Sequence, residues 1–279
     1  MYQPKYLPKL NSKTEPISDM RFGITHSNSF ININSQAIDP LHIHGYMEIF
    51  FNVSKEVSFF VNDTLYRVGR YDAVVSTNKD VHMCVYNSSD TYEYFCLWID
   101  ADFDLPLFSF IKRENACPLI SFNEQDGKKM LSYLLSLEKL YNENSDKTAL
   151  TISLFQILML FNDTEAQTKL EVSLPDAMQD IIDDIRENCN YIYSVNDILK
   201  NHFISSATLT RWFRTYLHIS PHEYLESQKL ARALEMLLKG ASVTEACMQS
   251  GFSDTSYFIV RFKKKFGETP MRYVKIFNP

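Results

Sequence analysis

The 279-residue chain, 45% hydrophobic and 22% charged, holds enough material for two ordinary domains and has the composition of a folded soluble protein. No apolar run approaches the ~18–20 residues that span a bilayer, and the opening MYQPKYLPKL lacks a signal peptide's apolar core and cleavage site. The net charge of −6 is split: residues 1–199 carry 16 Lys and Arg against 28 Asp and Glu (net −12), and residues 200–279 carry 12 against 6 (net +6), as in a protein that brings one end to phosphate. The cysteines Cys84, Cys96, Cys117, Cys189 and Cys247 form no C-x-x-C pair, which argues against a disulfide framework or structural zinc and for a reducing, cytoplasmic setting.

The first hundred or so residues read as β structure. Glu48–Val53, Val57–Val61 and Tyr94–Ile99 are rich in aromatic and β-branched residues, with turn residues between them at Asn62-Asp63 and Val68-Gly69-Arg70. Short strands at this spacing predict a sandwich or barrel. The same stretch contains His42-x-His44-x-x-x-Glu48 and, later, His82. Alternate strand residues share a face, so His42 and His44 point the same way, and imidazoles with one carboxylate suit Fe, Mn, Ni or Zn. Three readings stay open: a metal site, a polar small-molecule pocket, or histidines serving only the core. The pocket is preferred, with His42, His44, Tyr46, Glu48, His82 and Trp98 binding an effector and no metal or cofactor assigned.

From about Asn123 the period becomes helical. Met130, Leu134, Leu135, Leu137 and Leu140 form one stripe, Leu150, Leu154, Ile157, Leu158 and Phe161 another, with a turn at Asn142–Asp146. Such a leucine-rich pair needs a partner surface, either the β part or the same helices of a second subunit. Residues 163–174 read as a polar linker, after which Pro175 and Asp176 open a helix.

The remainder contains two copies of one pattern offset by 49 residues: Phe203 with Phe252, Leu209 with Phe258, Phe213 with Phe262, Pro221 with Pro270 and Tyr224 with Tyr273. Each copy reads as helix, tight turn, helix. Ser242-x-x-Glu245 and Ser194-x-x-Asp197 open the first helices, Gly251 supplies the left-handed turn with Asn201 replacing it in copy one, and Ser253 or Asp254 caps the next helix. This is helix-turn-helix geometry, in which the second helix presents side chains to the major groove. The candidate DNA-contacting residues are Ser206, Thr208, Thr210, Arg211 and Arg214 in copy one, and Thr255, Ser256, Tyr257, Ile259, Val260, Lys263 and Lys264 in copy two. Arg211 suits bidentate pairing to guanine; Arg214, Lys263, Lys264 and Lys265 suit phosphates.

The run Gly251-Phe252-Ser253-Asp254-x-Ser256-Tyr257-Phe258, Phe262-Lys263-Lys264-x-Phe266-Gly267-x-Thr269-Pro270-x-x-Tyr273 resembles the signature of the AraC/XylS family of bacterial transcription regulators, over about residues 176–279. The resemblance implies seven helices, with a long one around Ser220–Leu238 joining two DNA-reading units. The chain departs from it at Ile259-Val260, an apolar pair favouring thymine methyls, and at Lys229, a conservative change from arginine. The histidine pattern resembles that of cupins, although Ser76–Val81 lacks the usual Pro-x-Gly. Regulators of the AraC/XylS family often keep the first histidines and the glutamate without metal, as polar groups in an effector pocket, and an arm before Phe22 could cover it.

The expected fold is therefore α+β and multidomain: a cupin-like jelly-roll β-barrel (1–122), a helical dimerisation pair (123–162), a linker (163–174) and an all-α DNA-binding domain (175–279) with helix-turn-helix units at about 194–217 and 242–266. The expected function is a non-enzymatic, homodimeric, effector-responsive transcription activator. Its partners would be double-stranded promoter DNA, RNA polymerase and a small-molecule effector, a sugar before an apolar chain. The alternatives are a metal-dependent cupin enzyme with a DNA-binding tail and an effector-independent DNA binder.

Overall fold

The computed structural model describes residues 20–33, 41–77, 80–101, 103–113, 117–143, 145–164 and 172–277. The expected N-terminal arm (1–19) and most of the expected linker (165–171) lie outside the described residues.

Among the described residues the front half has eight strands: β1 (Arg21–Ile31), β2 (Met47–Asn52), β3 (Val57–Val61), β4 (Thr64–Val68), β5 (Asp72–Ser76), β6 (His82–Val85), β7 (Asp90–Asp100) and β8 (Leu119–Ser121). They pair antiparallel into two sheets, ordered β1-β7-β2-β5-β8 and β4-β3-β6. Asn62, at φ 57, makes the tight β3–β4 turn, a conformation asparagine tolerates better than most residues.

Strand alternation distributes the side chains among three cores. Phe50, Phe59, Tyr66, Val74, Cys84 and Tyr92 meet between the two sheets. Their strand neighbours Ile49, Phe51, Phe95 and Leu97 turn the other way, onto α1 (Glu124–Asn142) and α2 (Lys147–Asp163). The partner of the helical pair is thus the large sheet. Met130, Leu134 and Leu137 of α1 are at most 1% exposed, each contributing ~1.5–3 kcal/mol of transfer free energy. Phe60, Leu65, Met83 and Val85, on the outer face of the small sheet, share a third core with the C-terminal helices. The layers therefore run helices, large sheet, small sheet, helices.

Of the expected cupin-like jelly-roll barrel, the described residues show two facing sheets and no closed barrel. Among the described residues no hydrogen-bonded ladder joins the sheets, which meet through side chains instead. The chain enters β2 along a strap, residues 41–46, pinned to β6 by paired backbone hydrogen bonds between His42 and His82 (2.9 and 2.8 Å).

The C-terminal part has seven α-helices among the described residues, the number the resemblance implied: α3 (Asp176–Asn188), α4 (Val195–Asn201), α5 (Ser206–Trp212), α6 (Pro221–Leu238), α7 (Val243–Gln249), α8 (Thr255–Phe266) and α9 (Pro270–Phe277). A π-helical turn, Phe213–Leu217, prolongs α5. Capping boxes at Ser194/Asp197, Ser220/Glu223 and Ser242/Glu245 satisfy the first amides of α4, α6 and α7. Met178, Ile181, Ile182 and Ile185 put one buried stripe along α3. The β3–β4 hairpin docks here: Gln179 Nε2 donates to Asp63 O (3.1 Å), Arg186 pairs with the Asp63 carboxylate, and the Phe60 ring meets Tyr224 edge-on at 6.0 Å.

Candidate DNA-reading helices and a buried histidine cluster

The two helix-turn-helix units are α4–α5 and α7–α8. Their first helices are offset by 48 residues (Val195 and Val243) and their second by 49 (Ser206 and Thr255), so the second turn is one residue longer. This corrects two expectations. The counterpart of Gly251 (φ 88) is Phe203 (φ 51), whereas Asn201 is the last residue of α4. Phe203 also does not pair with buried Phe252; it is 97% exposed, and half-buried Ile204 takes the equivalent place against the core. A single sequence offset cannot register a one-residue insertion inside a turn, and two phenylalanines matched across it by coincidence.

Leu209 and Phe213 anchor the first reading helix, Phe258 and Phe262 the second, all fully buried. Ser206, Thr210, Arg211 and Arg214 are exposed on the first, while Thr208 is half-buried with Oγ1 2.9 Å from the capping Ser205 Oγ. On the second, Ser256, Val260, Lys263 and Lys264 are exposed and Thr255 is half-buried. The expected apolar pair is divided: Val260 is 65% exposed, but Ile259 packs against the core. Lys265, expected on phosphate, turns inward instead, with Nζ donating to Ser227 Oγ (3.3 Å), and burial pushes its amine down to about 8.

Sequence reasoning missed the polar contacts that hold α8 on α6. Buried Glu226 accepts hydrogen bonds from Arg261 and, at 3.1 Å, from the Tyr257 hydroxyl. The Tyr257 hydroxyl is therefore engaged, and its half-exposed ring is what faces solvent. Lys229, read as a conservative change, is 6% exposed; its Nζ donates to Gly251 O (2.9 Å) and lies 5.9 Å from the Phe252 ring centre. It thus ties the second turn to α6. None of these contacts follows from a periodic pattern, because each joins residues 22 to 35 positions apart through a bend of the chain.

In the front half, His42, His44, Tyr46, Glu48, His82 and Trp98 come together at one end of the space between the sheets. Glu48 on β2 is the cross-strand neighbour of Trp98 on β7 and Ser76 on β5. Its Oε2 accepts from Trp98 Nε1 (2.6 Å) and lies 3.2 Å from His44 Nε2, and its Oε1 is 3.9 Å from His82 Nε2. The His44 ring stacks on Tyr46 at 3.9 Å, and the His42 and His82 ring centres are 4.3 Å apart. Burial, reinforced by the neighbouring His42 and His44, pushes His82 down to about 3, so its ring is neutral at physiological pH. Burial works against ionisation of Glu48, but the His44 hydrogen bond and the surrounding histidines outweigh it and hold the carboxyl well below its usual range. Burial raises the Tyr46 hydroxyl, and Glu48 adds to the effect. One donor atom from each of His42, His44, Glu48 and His82 can be chosen so that all lie within 4.8 Å of one another. These residues fit a transition-metal ion, and the orphaned Nε2 of fully buried His82 supports that fit.

Two helix-turn-helix units with exposed polar fronts, mounted on one long helix, define a DNA-binding regulator of transcription. Residues 200–276 match the helix-turn-helix domain family model. The HTH-type transcriptional regulator YdeC of Bacillus subtilis is 24% identical over 88% of this chain and 89% of its own length. The HTH-type transcriptional activator RhaR of Mannheimia succiniciproducens is 22% identical over 84% of this chain and 86% of its own. Residues 200–276 thus form an AraC-type helix-turn-helix domain, and the relatives that run the length of the chain are transcription regulators. Among solved structures, apo ToxT K231A of Vibrio cholerae covers 92% of this chain and 98% of its own at 14% identity, with a TM-score of 0.39, a likeness too distant to argue from. No helix among the described residues is long and apolar enough to cross a membrane.

Proposed function

We propose that the protein is a homodimeric, effector-responsive activator acting in the cytosol, which inserts α5 and α8 into successive major-groove segments of promoter DNA. The observation that carries this reading is the placement of both reading helices beside one 18-residue helix, α6, with Arg211 and Lys263 exposed on them. Arg211 pairs with a guanine edge, and Ser206, Thr208, Thr210, Thr255 and Ser256 supply hydrogen bonds to bases or backbone. Val260 meets a thymine methyl, with the Ile259 methyls behind it and the Tyr257 ring alongside. Arg214, Lys263 and Lys264 hold phosphates.

Residues 123–162 form the dimer contact, because α2 leaves Ile152 and Met159 each 56% exposed, with half-buried Phe155 between them, on the face away from the sheet. RNA polymerase is the partner of the DNA-bound dimer. The effector site is the cluster around Glu48, and no catalytic step is assigned to it. A sugar would need open stacking faces, whereas Tyr46 and Trp98 are 3% and 6% exposed and already engaged with His44 and Glu48, which favours a very small ligand.

The test is binding of the purified protein to its own upstream DNA and to random DNA at two salt concentrations. A preference of about a hundredfold for the upstream fragment is expected. Equal binding to both at physiological salt, with or without candidate effectors, would overturn the reading.

A further inference from the structure

Two proton positions in the cluster are set by the backbone. His44 Nδ1 lies 2.8 Å from Tyr46 O, and His82 Nδ1 lies 2.9 Å from Asp80 O. A carbonyl can only accept, so both Nδ1 atoms carry the hydrogen, and in a neutral ring Nε2 is a bare lone pair. His82 Nε2 has no hydrogen-bond partner, and neither has Ser76 Oγ, on the strand position beside Glu48. With both rings neutral, two imidazole lone pairs therefore face the Glu48 carboxylate. A doubly protonated His44 paired with Glu48 would satisfy those two residues and still leave His82 Nε2 orphaned. A cation among the four satisfies all of them.

The spacing is right for such an ion. Ligands held ~2.1 Å from a metal stand ~3–4 Å from one another, and the four donor atoms here already lie within 4.8 Å. Three imidazoles and one carboxylate select zinc, nickel, iron or manganese over calcium or magnesium. The Tyr46 and Asp80 carbonyls and the Trp98 indole are outer partners that fix ring orientation and carboxylate position before an ion arrives.

The strap that carries two of the ligands faces both ways. Its His42 and His44 belong to the cluster, whereas the alternate residues Leu41 and Ile43, at 1% and 6% exposure, belong to the core shared with the C-terminal helices. Beyond them the Gly45 amide donates to Tyr273 Oη. Tyr273, on α9, packs against Phe262 and Phe266 of α8 with ring centres 5.9 and 5.6 Å away.

We propose that the effector of this regulator is a divalent transition-metal ion held by His42, His44, Glu48 and His82, and that the 41–46 strap relays its presence to the second helix-turn-helix unit. The relay rests on the effector-responsive reading above; the metal site does not. Ligation draws His42 and His44 toward Glu48, and Leu41, Ile43 and Gly45 carry the displacement to Tyr273 and the base of α8. An ion shifts DNA affinity only by as much as its own affinity differs between the two placements of that helix.

The full-length protein is stripped with a chelator and titrated with Co²⁺, read by its visible absorption, then with Zn²⁺ in competition. One ion per chain is expected, with binding lost in Glu48→Gln and in His82→Ala. Should the buried His82→Ala fail to fold by circular dichroism, the less buried His42→Ala makes the same comparison. Absence of stoichiometric binding, or binding that these variants leave untouched, overturns the metal site. Affinity for upstream DNA is then measured on stripped and loaded protein, with a shift of about tenfold expected. In Tyr273→Phe the ion should still bind and the shift should shrink. Metal binding with upstream preference intact and no shift in the wild type overturns the relay. Loss of upstream preference in every state instead defeats the regulator reading and leaves the metal site to be judged by absorption.

Discussion

The backbone amide of Gly45 donates to the phenolic oxygen of Tyr273, 3.2 Å away and 228 residues further along the chain. Tyr224, the counterpart of Tyr273 in the first unit, donates from its own hydroxyl to Asn62 O at 3.4 Å. The repeated tyrosine thus ends on front-half backbone in both units. Tyr273→Phe keeps the ring contacts and removes the acceptor of the Gly45 amide, so it should cost ~0.5–1.5 kcal/mol in denaturant unfolding. An unchanged midpoint would show that the bond is not formed in solution.

Gly251 and Gly240 both have positive φ (88 and 94), yet they should respond differently to alanine. A Cβ on Gly251 would meet backbone atoms of Asn190 and Cys189 at 2.8–3.0 Å, while one on Gly240 meets nothing within 4 Å. Gly240→Ala should lose ~1 kcal/mol from backbone strain alone. Gly251→Ala should lose clearly more and weaken DNA binding, because the clash displaces the turn ahead of α8. Thermal unfolding of the two variants side by side decides it; equal losses would mean that the turn yields at no cost.

Lys229→Met removes the donor to the Gly251 carbonyl from a buried place while keeping most of the side chain's volume. The expected loss is ~1–3 kcal/mol. Lys229→Arg should retain much of the stability, since a guanidinium can reach the same acceptor. A methionine variant as stable as the wild type would remove Lys229 from any part in holding the turn.

Arg211 and Lys263 should separate by role. Arg211→Ala is expected to weaken upstream binding by ~1–3 kcal/mol and relax preference at one base pair, leaving random DNA nearly unaffected. Lys263→Ala should weaken binding to every sequence and flatten the salt dependence by about one ion. Indistinguishable behaviour of the two on both DNAs would contradict the assignment.

Lys265 gives a pH dependence with a definite sign. Its folded-state value of about 8 lies below its ordinary 10.5. Below pH 8 both states are protonated and the folded state bears the full cost of burying the charge. Between 8 and 10.5 the unfolded chain binds more protons, so this residue's contribution to stability rises with pH. Lys265→Met should therefore raise the Tm at pH 7, with a gain that shrinks as the pH passes 8 toward 10. A gain constant across that range would place the ammonium in water.

What the sequence made legible was local. The capping boxes at Ser194 and Ser242, the glycine stops at 251 and 267 and the 3.6-residue stripes are written within one or two turns of chain, and they appear in the structure as read. The His42-x-His44-x-x-x-Glu48 residues also came together, though His42 and His44 sit on a strap bridged to β6 at His42 and not on the strand that alternation assumed. Contacts across a fold carry no such period. Glu226 reaches Arg261, Lys229 reaches Gly251 and Lys265 turns to Ser227 only because α8 lies across α6. The open edges of the sheets were hidden for a related reason: alternation reports which face of a strand is buried, not whether the last strand meets the first.

The covered outer face of the small sheet bears on how the molecule can be cut. Phe60, Leu65, Met83 and Val85 are at most 3% exposed only while the C-terminal helices lie on them. A front half expressed alone would present that β surface to solvent, with β4 as a free edge inviting other strands. The two halves are better regarded as one folding unit than as interchangeable modules, and grafting this sensor onto a foreign DNA-binding domain would require rebuilding the joint as well as the linker.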